Sequence, residues 1–377
     1  MKRMIELPFK VKKPILACGA DMKGSFAFAS GNEAFIVENF GDLGNLDNLV
    51  KYERAVKRYG RRLGVRPKII ACDLHPGYFS TRFAEDYAPS FRDCVLFRAQ
   101  HHEAHIAATI TDDFIVGDVI GVAFDGTGFG WDKNMWGGEF FVGSPKKMKR
   151  VAHFRYVQML GGEMAVREPW RMAISYLYQT FGKSFLDLGI DFIKTIDRKD
   201  WPAIKAVIDR RLKLPFTSSV GRLFDAAGSL ILCRKSVRRE AELPIMLERI
   251  ASIACRASYD FEVVYKDGEF IIDASPIIRS VVKDLAEKKA IETVSAKFHN
   301  AIADVVVEVT AKLNRKFGLK KVVLSGGVFQ NKFLSRNIVT MLERKKFKVY
   351  TSLDIPVNDS GIPVGQIAIA NARVSCV

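Results

Sequence analysis

The strongest constraint on the fold is a repetition. The segment PILACGADMKGSFAFASGNEAFIV sets two short apolar runs around a glycine-containing turn holding Lys23 and Gly24, and a second turn signal follows at Ser30 to Asn32. Near residue 118, DVIGVAFDGTGFGWDKNMWGGEFFVG repeats the plan of strand, glycine-rich turn with a charged residue, and strand. Each unit reads as a small antiparallel meander, so the chain starts its fold twice. Between them lie a polar amphipathic stretch (Asn45 to Leu63), a buried-strand candidate, KIIACDLHP, and the helical segment QHHEAHIAATITDD. Helical patterns follow in PWRMAISYLYQTFG and VSAKFHNAIADVVVEVTAKLNRKFG, whose apolar residues recur at three and four. LKKVVLSGGVFQN then runs from a strand through a glycine turn into a helix start, and KVYTSLDIPVNDSGIPVGQIAIANARV supplies a strand, a loop and a closing helix.

The chain has 377 residues, 48% hydrophobic and 27% charged, which excludes a mainly disordered protein and suits either two or three domains or one large two-lobed enzyme. It contains no apolar run of membrane-spanning length and no signal-peptide core, so a cytoplasmic protein without a membrane partner is expected. The formal charge is +16, spread over short runs: Lys146, Lys147, Lys149 and Arg150; Arg234, Lys235, Arg238 and Arg239; Arg344, Lys345 and Lys346. These runs read as solvated surface rather than as a nucleic-acid motif. Cys18, Cys72, Cys94, Cys233, Cys255 and Cys376 form no C-x-x-C pair, which points away from a zinc ribbon or a disulfide framework.

His101 and His105 are four residues apart, and in a helix that spacing puts both imidazoles on one face, where they can grip one metal ion. The bland alternative is a polar helix face. Two ligands are too few, and Asp359 in PVNDSGIPVGQ is a candidate third, although an Asn-Asp-Ser-Gly string equally reads as a turn with Asp359 as N-cap. DGTGFG, from Asp125 through Gly126, Thr127 and Gly128, suits either an anion cradle of backbone amides or a tight hairpin turn. Gly326, Gly327 and Asn331 lie between a strand and a helix start, suited to a nucleotide's base or ribose or to a plain connecting turn. In SSVGRLFDAAG, Gly221 opens the helical run, and Asp225 either meets a ribose hydroxyl or pairs with Arg222. Arg167, Glu168 and Arg171 in GGEMAVREPWRMA mark a helix entry. His75, ahead of Pro76 at a strand end, is a site candidate or a turn cap.

In this order GADMKGSF, GDLGNLDNL, DLHPGYFST, QHHEAHIAA, FDGTGFG with WGGEF, GGEMAVREPWRMA, SSVGRLFDAAG, LSGGVFQN and PVNDSGIPVGQ resemble the C-terminal transferase half of the HypF-type hydrogenase maturation carbamoyltransferases. The resemblance runs from about Pro14 to Ala370, and at greater distance the chain is similar to the TsaD-type tRNA threonylcarbamoyltransferases. It implies an α/β, two-lobed actin, sugar-kinase and heat-shock ATPase fold with a duplicated βββαβα core. The lobes would be 1–116, with the histidine motif, and 117–377, with the nucleotide motifs and helical insertions, its last helix packing back on the first lobe. It further implies one divalent metal ion, iron or zinc, on His101, His105 and Asp359, and an adenine nucleotide as carbamoyl-adenylate, ATP or AMP. Lys23 would approach the reactive end of that ligand, with Asp125 and His75 as further catalytic candidates. Asp125 to Gly128 would meet the phosphate, and Gly221, Asp225, Gly326, Gly327 and Asn331 would surround the ribose and base.

The implied reaction moves a carbamoyl group from carbamoyl-adenylate to the C-terminal cysteine of a HypE-like partner, with the metal as Lewis acid while Lys23 and backbone amides stabilise charge. Alternatives are O-carbamoylation of a small molecule, modification of tRNA, or a nucleotide-binding scaffold without catalysis. Full-length members of the family carry acylphosphatase-like, zinc-finger and YrdC-like parts ahead of this region, so the carbamoyl-adenylate is expected from a YrdC-like protein in trans. RREAELPIMLE departs from the family pattern, with Ala241, Glu242 and Met246 where Gly, Gln and Glu are expected.

Overall fold

The computed structural model describes residues 2–197, 201, 204–205 and 214–374; Cys376 lies outside them. Strands β1 (Lys2–Ala17) and β2 (Phe26–Val37) form an antiparallel hairpin. β1 also pairs in parallel with β3 (Ile69–Asp73), and β3 with β4 (Val95–Ala99), giving the order β2-β1-β3-β4. Helix α1 (Leu46–Leu63) links β2 to β3, and α2 (Phe79–Tyr87) links β3 to β4. The Asn45 side chain accepts the N–H groups of Asp47 and Asn48 and so starts α1, while Gly64, at φ 64°, ends it in the left-handed conformation that glycine adopts freely. Every residue of β3 is buried, as its continuous apolar run requires of a strand covered on both faces.

The second sheet comprises β5 (Val119–Phe129), β6 (Met135–Ser144), β7 (Lys147–Phe154), the short β8 (Val157–Gln158) and β9 (Phe216–Thr217), β10 (Glu262–Lys266), β11 (Glu269–Asp273), β12 (Lys321–Ser325) and β13 (Lys348–Thr351). Its main order is β10-β11-β7-β6-β5-β12-β13, with β5 to β7 antiparallel and β5, β12 and β13 parallel. Two antiparallel strands followed by two parallel ones thus occur in both sheets, and the first copy lacks a counterpart of β7 among the described residues.

Two expected turns are strand irregularities instead. Ser30 to Asn32 stays inside β2, where Gly31 pairs with Val11 between two register shifts. Asp125 to Thr127 stays inside β5, as a bulge between the pairs Phe124–Gly138 and Gly128–Trp136, and the hairpin turns later, ahead of Met135. A bulge leaves its backbone groups outside the ladder and aims them away from the sheet.

Helix α3 (His101–Asp112) follows β4 and is buried from His101 through Thr111. It lies beside the final helix, Ile362–Arg373, and the pair is packed between the sheets. Ala108, Val364, Ile367 and Ala370 join a core with Ile15, Ala27 and Ile69 of the first sheet. Ala104, Ile106, Ala107, Ile110, Ile362 and Ile369 join another with Val119, Ala123, Phe141 and Val323 of the second. A helix covered on both sides carries small apolar residues on both faces, which is why its polar line of His101, His105 and Thr109 is buried rather than solvated.

The basic runs are not uniformly solvated. Arg150 is largely buried, its guanidinium 4.1 Å over the Trp136 ring and paired with Glu139 and Glu269.

Candidate functional site

β3, β5, α3 and the loop ahead of the last helix converge at one point. Helical spacing puts His101 and His105 on one face of α3, and their Nε2 atoms turn toward Asp125 of the β5 bulge and Asp359. The distances are 3.4 and 3.7 Å from His101 to Asp125 and Asp359, and 3.6 and 3.5 Å from His105. Neither Nε2 atom has a hydrogen-bond partner, and all four ligand-type atoms lie within 4.8 Å of one another. Buried imidazole nitrogens without partners, facing two carboxylates, are what a divalent cation requires of its surroundings, so the residues present fit such an ion.

The supports around this cluster are specific. Asp125 divides its carboxylate: Oδ1 accepts the Gly327 N–H at 2.9 Å, while Oδ2 faces the histidines. His101 Nδ1 lies 2.7 Å from Asp73 Oδ2, both side chains fully buried, so Asp73 fixes the ring's orientation and directs Nε2 at the cluster. Burial opposes charge on both imidazoles, yet Asp73 and the facing carboxylates hold His101 well above its ordinary range, and Asp125 and Asp359 hold His105 above it. Burial likewise opposes charge on Asp125, but His101 and His105 hold its carboxyl well below the usual range. Asp73→Asn removes the charge behind His101 while keeping an acceptor oxygen. Metal affinity should fall about 10- to 100-fold, read by competition against a chromophoric chelator.

A cavity of about 520 Å³ opens beside the cluster, with Asp125 and Asp359 belonging to both. Of the residues singled out in the sequence, Lys23, Gly126, Thr127, Gly221, Gly327 and Asn331 line it as well. Gly221 is needed for close packing: a Cβ there would lie 2.8 Å from the Gly126 Cα. Ser219 begins the helix Val220–Leu232, and its hydroxyl donates to the carbonyls of Asp125 and Gly126, tying the bulge to that helix.

Other candidates lie elsewhere. Asp225 is 3% exposed, sits outside the cavity lining and faces Arg222 at 2.9 Å, with burial pushing its carboxyl up to about 6 against the guanidinium's pull. His75 stacks on Tyr78 at 4.2 Å, and its Nδ1 accepts the Gly77 N–H. Gly326, at φ 105°, lets the backbone pass against Phe124, where a Cβ would collide with the carbonyl. Gly128 packs against His101 and His102. The cavity also takes in Arg222, Phe224, Arg239 and Glu240, which the sequence reading did not assign to a site. A charged residue beside a left-handed position was the available signal for Glu240: Ala241 has φ 57°, at the position where glycine is expected. Ala241→Gly should therefore stabilise the chain by about 1 kcal/mol, seen as a higher denaturant midpoint at unchanged slope.

The sheet orders and the buried helix pair between the sheets define a two-lobed α/β protein of the actin, sugar-kinase and heat-shock ATPase class. Residues 10–112 match the HypF Kae1-like domain, and residues 121–366 match the second subdomain of the carbamoyltransferase Kae1-like domain. A carbamoyltransferase HypF homolog from Cupriavidus necator is 31% identical over 95% of this chain and 91% of its own length. Carbamoyltransferase HypF of Synechocystis sp. is 30% identical over 96% of this chain and 48% of its own length. A crystal structure of full-length HypF in the phosphate- and nucleotide-bound form matches with a TM-score of 0.92 and 35% identity, over 98% of this chain and 47% of that one. The chain belongs to the HypF carbamoyltransferase family, and it spans about half the length of such full-length relatives.

Proposed function

We propose that the chain transfers a carbamoyl group from carbamoyl-adenylate to the C-terminal cysteine of a HypE-like protein, on the route to the cyanide ligands of NiFe-hydrogenase. The observation that carries this reading is the sharing of Asp125 and Asp359 between the cavity and the two-histidine cluster, which puts a ligand in the cavity against the cation site. His101, His105, Asp125 and Asp359 would hold a divalent cation, iron or zinc by their donor chemistry, and when bound it would supply Lewis acidity toward the carbamoyl oxygen.

The protein's own groups account for the rest. The backbone of Gly126 and Thr127, with Arg222, Arg239 and Lys23 around the same space, suits the anionic phosphate of an adenylate. Gly327 and Asn331 face the space left for its nucleoside. In the reaction the thiol sulfur bonds to the carbamoyl carbon, the bond from that carbon to the phosphate oxygen breaks, and AMP leaves with the electron pair. Glu240, a carboxylate in the same cavity wall, is the group suited to take the thiol proton. The carbamoyl-adenylate would come from a YrdC-like activity. No helix among the described residues is long and apolar enough to cross a membrane.

The test supplies carbamoyl-adenylate in trans to the purified chain and a HypE-like protein with its C-terminal cysteine present or replaced by alanine. Mass spectrometry should find a gain of one carbamoyl group that depends on both the chain and the cysteine. No gain with metal and nucleotide bound overturns this acceptor. The charge of +16 keeps tRNA as the second reading, and tRNA binding that weakens steeply with salt would move the assignment there.

A further inference from the structure

Asn331 stands in the cavity wall and also begins the helix Lys332–Arg344, where its Oδ1 accepts the Leu334 N–H at 2.9 Å. Its Nδ2 lies 2.9 Å from Nε2 of His299, a residue of the long helix Ile291–Phe317. The other ring nitrogen of His299, Nδ1, is 2.8 Å from the Ser295 carbonyl. This chain of contacts ends on backbone atoms of fixed polarity. A carbonyl only accepts, so Nδ1 carries the ring proton and Nε2 is the acceptor. A peptide N–H only donates, so the Asn331 oxygen faces Leu334 and its NH₂ group faces His299. Both ends require the same amide orientation.

The surroundings keep the imidazole neutral. His299 is fully buried, with Phe224, Phe298 and Phe333 around its ring at 5.1, 6.1 and 5.3 Å, and burial pushes its pKa down to about 4. Phe224 lines the cavity as well, so His299 lies directly behind this wall. One amide hydrogen of Asn331 is committed to His299, and the second remains for a ligand.

We propose that His299 is a positioning residue that locks Asn331 as a hydrogen-bond donor, so that this wall selects a ligand presenting an acceptor there, such as a purine ring nitrogen or a ribose oxygen. The inference rests on the nucleotide reading of the cavity. It explains why a fully buried histidine sits among phenylalanines, where an apolar side chain of similar size would pack as well: the ring is needed for its acceptor nitrogen.

Two measurements test it. The first needs no ligand. In the full chain with ¹⁵N-labelled histidine, two-bond proton–nitrogen spectra should show His299 as the neutral Nδ1–H tautomer, and Asn331→Asp, which puts an acceptor opposite Nε2, should convert it to the doubly protonated ring at neutral pH. A His299 signal that ignores Asn331→Asp overturns the proposal. The second is calorimetric titration with AMP. His299→Phe, which fills the ring space, should bind about tenfold more weakly, and adding it to Asn331→Ala should weaken binding no further. Wild-type affinity in a folded His299→Phe overturns the proposal alone. Failure of the unmutated chain to bind AMP overturns the nucleotide reading and the inference with it.

Discussion

His105→Ala should strip the chain of bound metal and stop carbamoyl transfer while the fold stays intact, and His101→Ala should do the same at a larger stability cost. The difference follows from what stands behind each ring. The polar side-chain contacts of His105 run to Asp125 and Asp359, so its loss removes one ligand from the cluster. His101 also satisfies Asp73 Oδ2, fully buried 2.7 Å from Nδ1, and truncation leaves that oxygen without its partner, while Oδ1 keeps the His75 N–H. An unsatisfied buried group of this kind costs about 1–3 kcal/mol. Metal content by elemental analysis should fall in both variants, with affinity down at least about a hundredfold, since even a supporting residue is worth 10- to 100-fold. The unfolding midpoint should drop further in His101→Ala than in His105→Ala. Unchanged metal content in either variant would sink the site assignment.

The second large effect is predicted at a glycine with no chemistry of its own. Gly365 lies in the last helix where it crosses α3, and a Cβ there would be driven into the carbonyl oxygen of Ala104. Gly365→Ala must push the helices apart, and overpacking of this kind costs about 1–3 kcal/mol. The consequence reaches the site, because Asp359 immediately precedes this helix while His101 and His105 belong to α3. The variant should lose metal affinity together with thermal stability, which distinguishes it from an ordinary core mutation. A destabilised variant with native metal affinity would show that the helix crossing does not set the position of Asp359. The same loop is held from the other side: Asp112, at the end of α3, accepts from Ser352 Oγ and from the N–H groups of Leu353, Asp354 and Ile355 through one oxygen. α3 thus carries two site residues at one end and anchors the loop of a third at the other.

Much of this was readable locally. The i, i+4 pair His101 and His105 and the amphipathic stretch from Asn45 to Leu63 depend on neighbours within a helical turn or two, and they appear in the structure as their spacing implied. So does the strand-to-helix passage through Gly326 and Asn331. Asp359 was ambiguous for a physical reason: a loop aspartate before a helix satisfies either an N-terminus or a partner brought from elsewhere, and in the structure Asn358 takes the cap by accepting the Ser360 N–H. DGTG was ambiguous because hairpin turns and bulges use the same small residues, and only pairing with β6 distinguishes them.

Helix, strand and turn preferences are set by residues a few positions apart, so the amino-acid order alone carried the repeated strand–turn–strand units, the helix starts and the histidine pair. Which distant groups share one space was decided by packing. Asp73 comes to His101 because β3 pairs with β4, which sets Asp73 opposite Ala99 just ahead of α3, and Asp125 comes to both histidines because a bulge lifts it from its ladder. Arg222, Arg239 and Glu240 reach the cavity, while Asp225, one helical turn from Arg222, turns into the protein. Burial of two helices between two sheets fixes these distances, and no period in the sequence encodes how far apart those sheets stand.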